Sequence, residues 1–122
     1  VFGDSVQPIV DAGKADLIPG DHRLSDEISM IPTPGHSPGH MSILIKSDGE
    51  QGLLTGDVAH HPCQMAHLNW SSTADSDQAQ SAATRAELFG RFADTPTLVI
   101  GGHFSAGHIK RDGDAFRFVA LG

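Results

Sequence analysis

Apolar positions in this chain fall into short runs separated by glycine, proline and acidic turns. Ile28 to Ile31, Met41 to Lys46, Gly52 to Thr55, Thr97 to Ile100, Gly107 to Arg111 and Ala115 to Val119 read as strands. Ala15 to Ile18 reads as a further short strand, ended by a Pro19-Gly20-Asp21 turn. Ser47 to Gln51 and Asp112-Gly113 read as hairpin connections. Near the start, Asp4-Ser5 caps a short helix through Val6, Ile9 and Val10, with Pro8 in its first turn and Gly13 as its stop. After Asp75 the period changes. Ala79, Ala82, Ala83, Ala86, Phe89, Phe92 and Ala93 recur at three- and four-residue steps, which predicts a long helix whose small-residue stripe lies close to a sheet. Asp75 and Gln78 resemble a capping box at its start, and Pro96 bounds its end. Residues 58 to 74 show no periodicity, and connections of this length are often functional. The reading is an α/β (α+β) domain over residues 1–122, with a mixed or antiparallel sheet, one long helix and one short helix.

Composition narrows the function. A net charge of −7 and a pI near 5.4 argue against a nucleic-acid partner. The longest apolar run, Met41 to Ile45 broken by Ser42, is far too short to cross a bilayer, so no membrane partner is expected. No stretch near Val1 combines positive charge with an apolar segment, so no signal peptide is read here. A single cysteine, Cys63, allows no internal disulfide and suits a reducing compartment, so a cytoplasmic location is expected. Without an evident activating cluster, Cys63 reads as a free thiol rather than a nucleophile.

Eight histidines in 122 residues are many. Three chemistry-bearing residues share one setting, a glycine-bearing turn just after an apolar run. His36 follows Ile28 to Ile31 through Pro32, Pro34 and Gly35; Asp57 follows Leu53-Leu54-Thr55 through Gly56; His103 follows Leu98-Val99-Ile100 through Gly101 and Gly102. A strand fixes where such a loop begins, and imidazoles with a carboxylate are the donors that zinc and similar ions take. His60 and His61, directly after Asp57, are candidates to face a substrate or to orient Asp57. Trp70 reads as packing at the core or pocket rim, His67 and His22 as surface residues, and His108 as structural.

The segments Thr33-Pro34-Gly35-His36-Ser37-Pro38-Gly39-His40, Thr55-Gly56-Asp57 and Gly101-Gly102-His103-Phe104 resemble the C-terminal half of the metallo-β-lactamase superfamily. The branch with lactonases, methyl parathion hydrolase and glyoxalase II is the most similar. The resemblance implies half of an αββα sandwich and a metal-dependent hydrolase acting on a small-molecule ester, lactone, thioester, phosphotriester or β-lactam. It implies that His36 ligates one ion, Asp57 bridges two and His103 ligates the other, with His40 in a supporting place. Zinc is the expected metal, with iron or manganese as alternatives, and activated water is the nucleophile. The family's His-x-His-x-Asp-His segment does not occur in these 122 residues. The chain by itself is therefore expected to be inactive. A longer polypeptide, a second chain supplying the other half, or lost activity would each account for this. A homodimer or association with an N-terminal half is expected. The alternative function is a non-catalytic half-domain that self-associates or pairs with another chain. A histidine-rich storage or sensor protein is a weaker reading, because the three candidate donors are spread along the chain rather than clustered in a tract.

Overall fold

A computed structural model describes all 122 residues, Val1 to Gly122. Six strands form one mixed sheet in sequence order: β1 (Ile28–Pro32), β2 (Met41–Ser47), β3 (Glu50–Leu54), β4 (Leu98–Ile100), β5 (Ala106–Asp112) and β6 (Ala115–Ala120). Every neighbouring pair is antiparallel except β3 with β4. A parallel pair requires a crossover, and the long helix α3 (Gln78–Phe92) lies within it. The hairpin between β2 and β3 turns on Asp48 and Gly49, both at positive φ, as a right-twisted two-residue turn requires.

The inner sheet face carries Leu44, Leu53, Val99, Ile109 and Phe116, and α3 covers it with Leu88, Phe89 and Phe92. Val58, Ala59 and Met65 of the connection after β3 complete this core. The buried side of α3 differs from the alanine stripe that its spacing suggested. Ser81, Arg85, Leu88, Phe89 and Phe92 are buried, whereas Ala79, Ala83 and Ala86 are exposed. Burying leucine and phenylalanine removes far more apolar area from water than burying alanine, so the larger side chains set the helix rotation. The cap differs too: Asp77, not Asp75, accepts from the Gln80 backbone N–H at 2.9 Å.

Two further expectations are corrected. Ala15 to Ile18 forms no strand, and Leu17 is fully exposed. The free edge of β1 is instead met by residues 22–25, through Met30 N–H to His22 O and Leu24 N–H to Ile28 O, so no ladder is left for an additional strand. The aperiodic stretch holds one helical turn, α2 (Cys63–Ala66), in addition to the short N-terminal helix α1 (Gln7–Asp11). A π-turn over Phe2–Val6 leads into α1, and neither piece buries a residue.

The outer sheet face is also apolar. Ile45 stands opposite Ile28 and Gly52, while Leu54 stands opposite Ile43 and Ile100. Ile45, Leu54 and Ile100 are each 37% exposed. A groove of about 860 Å³ runs over this face, with Ile45, Leu54, Leu98 and Ile100 in its lining. Phe89→Ala is expected to cost about 3–5 kcal/mol of stability, because Phe89 is fully buried and packs edge-on to Phe116. Ile100→Ala should cost much less, and urea unfolding midpoints compare the two.

Candidate metal centre

The strand directions decide which loops meet. Leu54 pairs with Ile100 in the parallel β3–β4 ladder, so both strands leave the sheet at one rim and at one level. Three residues beyond each lie Asp57 and His103. Their side chains touch, with His103 Nε2 at 2.8 Å from Asp57 Oδ1. Two antiparallel pairings give β1 the direction of β3, so its exit loop reaches the same rim carrying His36. His36 Nε2 lies 3.4 Å from Asp57 Oδ2. The two imidazoles thus flank one carboxylate, one on each oxygen.

His60 completes the group. Its ring centre is 5.1 Å from that of His36 and 4.9 Å from that of His103. Donor atoms of Asp57, His60 and His103 all lie within 4.8 Å of one another, as do those of His36, His60 and Asp75. His60 Nδ1 is buried with no hydrogen-bond partner. A buried imidazole nitrogen left unpaired loses its hydration without recompense, which suits a group awaiting a ligand. The backbone N–H groups of His60 and His61 both donate to Gln64 Oε1, at 2.7 and 3.3 Å, while Gln64 Nε2 donates to Trp70 O at 2.8 Å. Gln64 therefore pins the loop that carries His60.

His61 is not brought to this group. It is exposed, and its Nδ1 accepts from the Cys63 backbone N–H at 3.1 Å. Trp70 is 53% exposed rather than packed in the core, and stacks on His67 with ring centres 4.0 Å apart. Nothing in the sequence distinguishes which of the two adjacent histidines turns inward.

His40 braces the rim from below. The Asp57 backbone N–H donates to His40 Nε2 at 3.0 Å. Nδ1 then carries the proton toward Thr33 Oγ1 at 2.8 Å; Thr33 Oγ1 meets Ser42 Oγ at 3.1 Å, and Ser42 donates to Thr55 O at 3.2 Å. Burial draws the His40 imidazole below the usual histidine range, against an opposing pull from Asp57, so it is neutral and can accept.

Asp75 is the residue that the periodic pattern misassigned. Its side chain is fully buried, and Oδ1 accepts from His36 Nδ1 at 3.0 Å. Oδ2 accepts from the Ser72 backbone N–H at 3.2 Å and lies 3.8 Å from the Arg85 guanidinium. Burial alone would raise its pKa. Hydrogen bonds from His36, Ser81 and Ser72, with the charge of Arg85, outweigh that and hold the carboxyl below its ordinary value. The donor set fits a metal site: two imidazoles and a carboxylate converge, one imidazole carries the carboxylate partner usual for ligating histidines, and a third imidazole has an unused nitrogen.

Solved structures of known proteins share this arrangement of elements. AidC, a dizinc quorum-quenching lactonase solved with a product, matches over 99% of this chain and 47% of its own, with a TM-score of 0.83 and 18% identity. The hydrolase AbOPH of the beta-lactamase superfamily matches over 99% of this chain and 43% of its own, with a TM-score of 0.82 and 22% identity. The chain has a metallo-β-lactamase-like fold. An N-acyl homoserine lactone hydrolase with product at its metal centre matches over 72% of this chain and 35% of its own, with a TM-score of 0.62 and 25% identity. The chain spans less than half the length of each, as the C-terminal half of a metallo-β-lactamase-like sandwich does. Its neighbours are metal-dependent hydrolases, lactonases among them. No protein-family model and no curated protein matches the sequence.

Two glycines let this metallo-β-lactamase-like rim close. Gly35 has φ of 139°, and a Cβ there would collide with the backbone of Ser81 in α3. At Gly102 a Cβ would stand 2.9 Å from Gly56 O and 3.2 Å from Asp57 Oδ1. Gly35→Ala is expected to destabilise the protein by about 1–3 kcal/mol and to shift His36. Thermal unfolding together with the His36 ring NMR signals checks both effects.

Proposed function

We propose that this chain is the C-terminal half of a metal-dependent hydrolase, with His36 and Asp57 on one ion and Asp57 and His103 on another. The observation that carries this is the two-sided contact on Asp57, one imidazole at each carboxylate oxygen. A carboxylate with nitrogen donors on both sides is the arrangement that spans a pair of cations and offsets their repulsion. When bound, the metal pair supplies a water acidified for attack and a Lewis acid for the scissile carbonyl or phosphoryl group. Asp57 would hold both ions, and the His40 contact to its backbone N–H keeps that residue on the rim. His60 stands between the rings of His36 and His103 and would face the substrate beside the place the metals would take.

The substrate class is an ester-like bond, with a lactone first, since two of the similar structures are lactonases. Phosphotriester, thioester and β-lactam bonds share the same electrophilic centre. Zinc is the proposed metal, with iron and manganese as the alternatives to be separated by elemental analysis. Asp57, His36 and His103 alone give each ion too few protein donors, since tight sites take three or four, so the remaining donors come from the other half of the sandwich.

The exposed outer sheet face supports that second half. Ile28, Ile43, Ile45, Leu54, Leu98 and Ile100 line it without a covering layer, and a continuous apolar face is not normally left in water. We infer that a second sheet packs there. Expressed alone, the 122 residues should self-associate by light scattering and bind a hydrophobic dye; a monomer that binds no dye would contradict this.

In the full-length protein, His36→Ala, Asp57→Ala and His103→Ala should each weaken metal binding by more than the roughly 10- to 100-fold typical of losing an outer-shell partner, and hydrolysis should fall with it. His67→Ala should change neither. Equal metal content in all four variants, measured by elemental analysis after dialysis, would remove the assignment.

A further inference from the structure

Arg85 is a fully buried guanidinium in the middle of α3. Such a group stays charged in proteins and is costly to bury unless all its donors are used. Here they are used across the long connection between β3 and α3. Nη1 donates to Val58 O at 3.2 Å and to Ser81 Oγ at 2.7 Å; Nε and Nη2 both donate to Leu68 O at 3.1 Å; Nη2 donates to Ser71 Oγ at 2.7 Å. One side chain therefore ties together both ends of the loop that carries His60. Its remaining neighbour is Asp75, with both side chains fully buried and 3.8 Å between Nη1 and Oδ2.

The Asp75 carboxylate is held by two hydrogen bonds and by the charge of Arg85. Arg85 and the Ser72 N–H face Oδ2, and the His36 imidazole faces Oδ1. An acceptor held this way leaves His36 Nδ1 only the donor role, which puts the lone pair on Nε2, the nitrogen beside Asp57. The only freedom left to the ring is rotation that would break the Asp75 bond.

We propose that Asp75, clamped by Arg85, is the positioning residue that sets the tautomer and direction of His36 toward the metal centre. Neither residue touches a substrate or a reacting atom; both act through His36. The functional half of this inference rests on the reading of His36 as a ligand, whereas the tautomer itself does not.

The test uses full-length protein with ¹⁵N-labelled histidine, alongside Asp75→Asn and Arg85→Lys, with folding checked by circular dichroism. In the metal-free wild type, His36 should show one tautomer, protonated on Nδ1. In Asp75→Asn and Arg85→Lys that signal should become a mixture of tautomers, while the His40 signals stay unchanged. Zn²⁺ affinity by chelator competition should fall about 10- to 100-fold in Asp75→Asn, and by a smaller factor in Arg85→Lys, which keeps the charge and loses the fork. A folded Asp75→Asn protein with wild-type tautomer and wild-type affinity would overturn the proposal. An Arg85→Lys protein that does not fold would make Arg85 a residue of the fold and overturn its part. If the wild type binds no Zn²⁺ yet His36 keeps its single tautomer and loses it in Asp75→Asn, the hydrolase reading fails and the positioning role stands.

Discussion

The parallel pairing of β3 with β4 is the constraint on which the rest of this molecule depends. It sets Leu54 level with Ile100, and so places residues 57 and 103 side by side although 46 positions separate them. In an antiparallel arrangement the two strands would leave at opposite edges and Asp57 would never meet His103. The parallel pair in turn requires the crossover through α3, because strands running the same way cannot be joined by a tight turn. The crossover then supplies Asp75, Ser81 and Arg85, the residues that support His36. The same topological choice thus provides the contact between the site residues and the scaffold beneath them.

That scaffold is unusually polar. Thr33, Ser42 and Thr55 form a buried hydroxyl chain under His40, while Arg85, Asp75, Ser81 and Gln64 form a second network under His36 and His60. An apolar filling would be easier to stabilise, because each buried polar group must find its partner or lose stability. What these networks provide is direction. A packed methyl group permits small rotations, whereas a hydrogen bond to one nitrogen of an imidazole fixes both the tautomer and the plane of the ring. The two networks meet only at the rim, through Asp57, His36 and their neighbours.

The two sheet faces divide the labour. The inner face packs under α3 and makes the core that holds the rim together. The outer face is as apolar, yet its large residues are over a third exposed at Ile45, Leu54 and Ile100. No helix in the chain is long and apolar enough to cross a membrane, so a lipid-spanning helix does not account for it. A second protein layer packed on this face is the cover we propose. The groove of about 860 Å³ lies on this face rather than at the histidine group.

Much of this was legible before any coordinates. Strand periodicity located all six strands to within two residues at each end, because alternation and turn chemistry are local properties. The glycine-bearing turns after three strands pointed to His36, Asp57 and His103 for the same local reason. The failures are equally physical. Ala15 to Ile18 had a strand-like composition but no partner edge, and a strand exists only by pairing. Of the expected stripe Phe89 and Phe92 are buried, whereas Ala79, Ala83 and Ala86 yield to Ser81, Arg85 and Leu88, because area buried against a sheet decides rotation, not spacing alone. Asp75 resembled a helix cap and instead bonds His36, while no periodic pattern marked Arg85 as the centre of the loop network. The sequence by itself determined which segments could pair and which side chains could bind metal or carry a proton. Only the tertiary structure decided which of them face one another, because that depends on strand direction and on contacts made across dozens of residues.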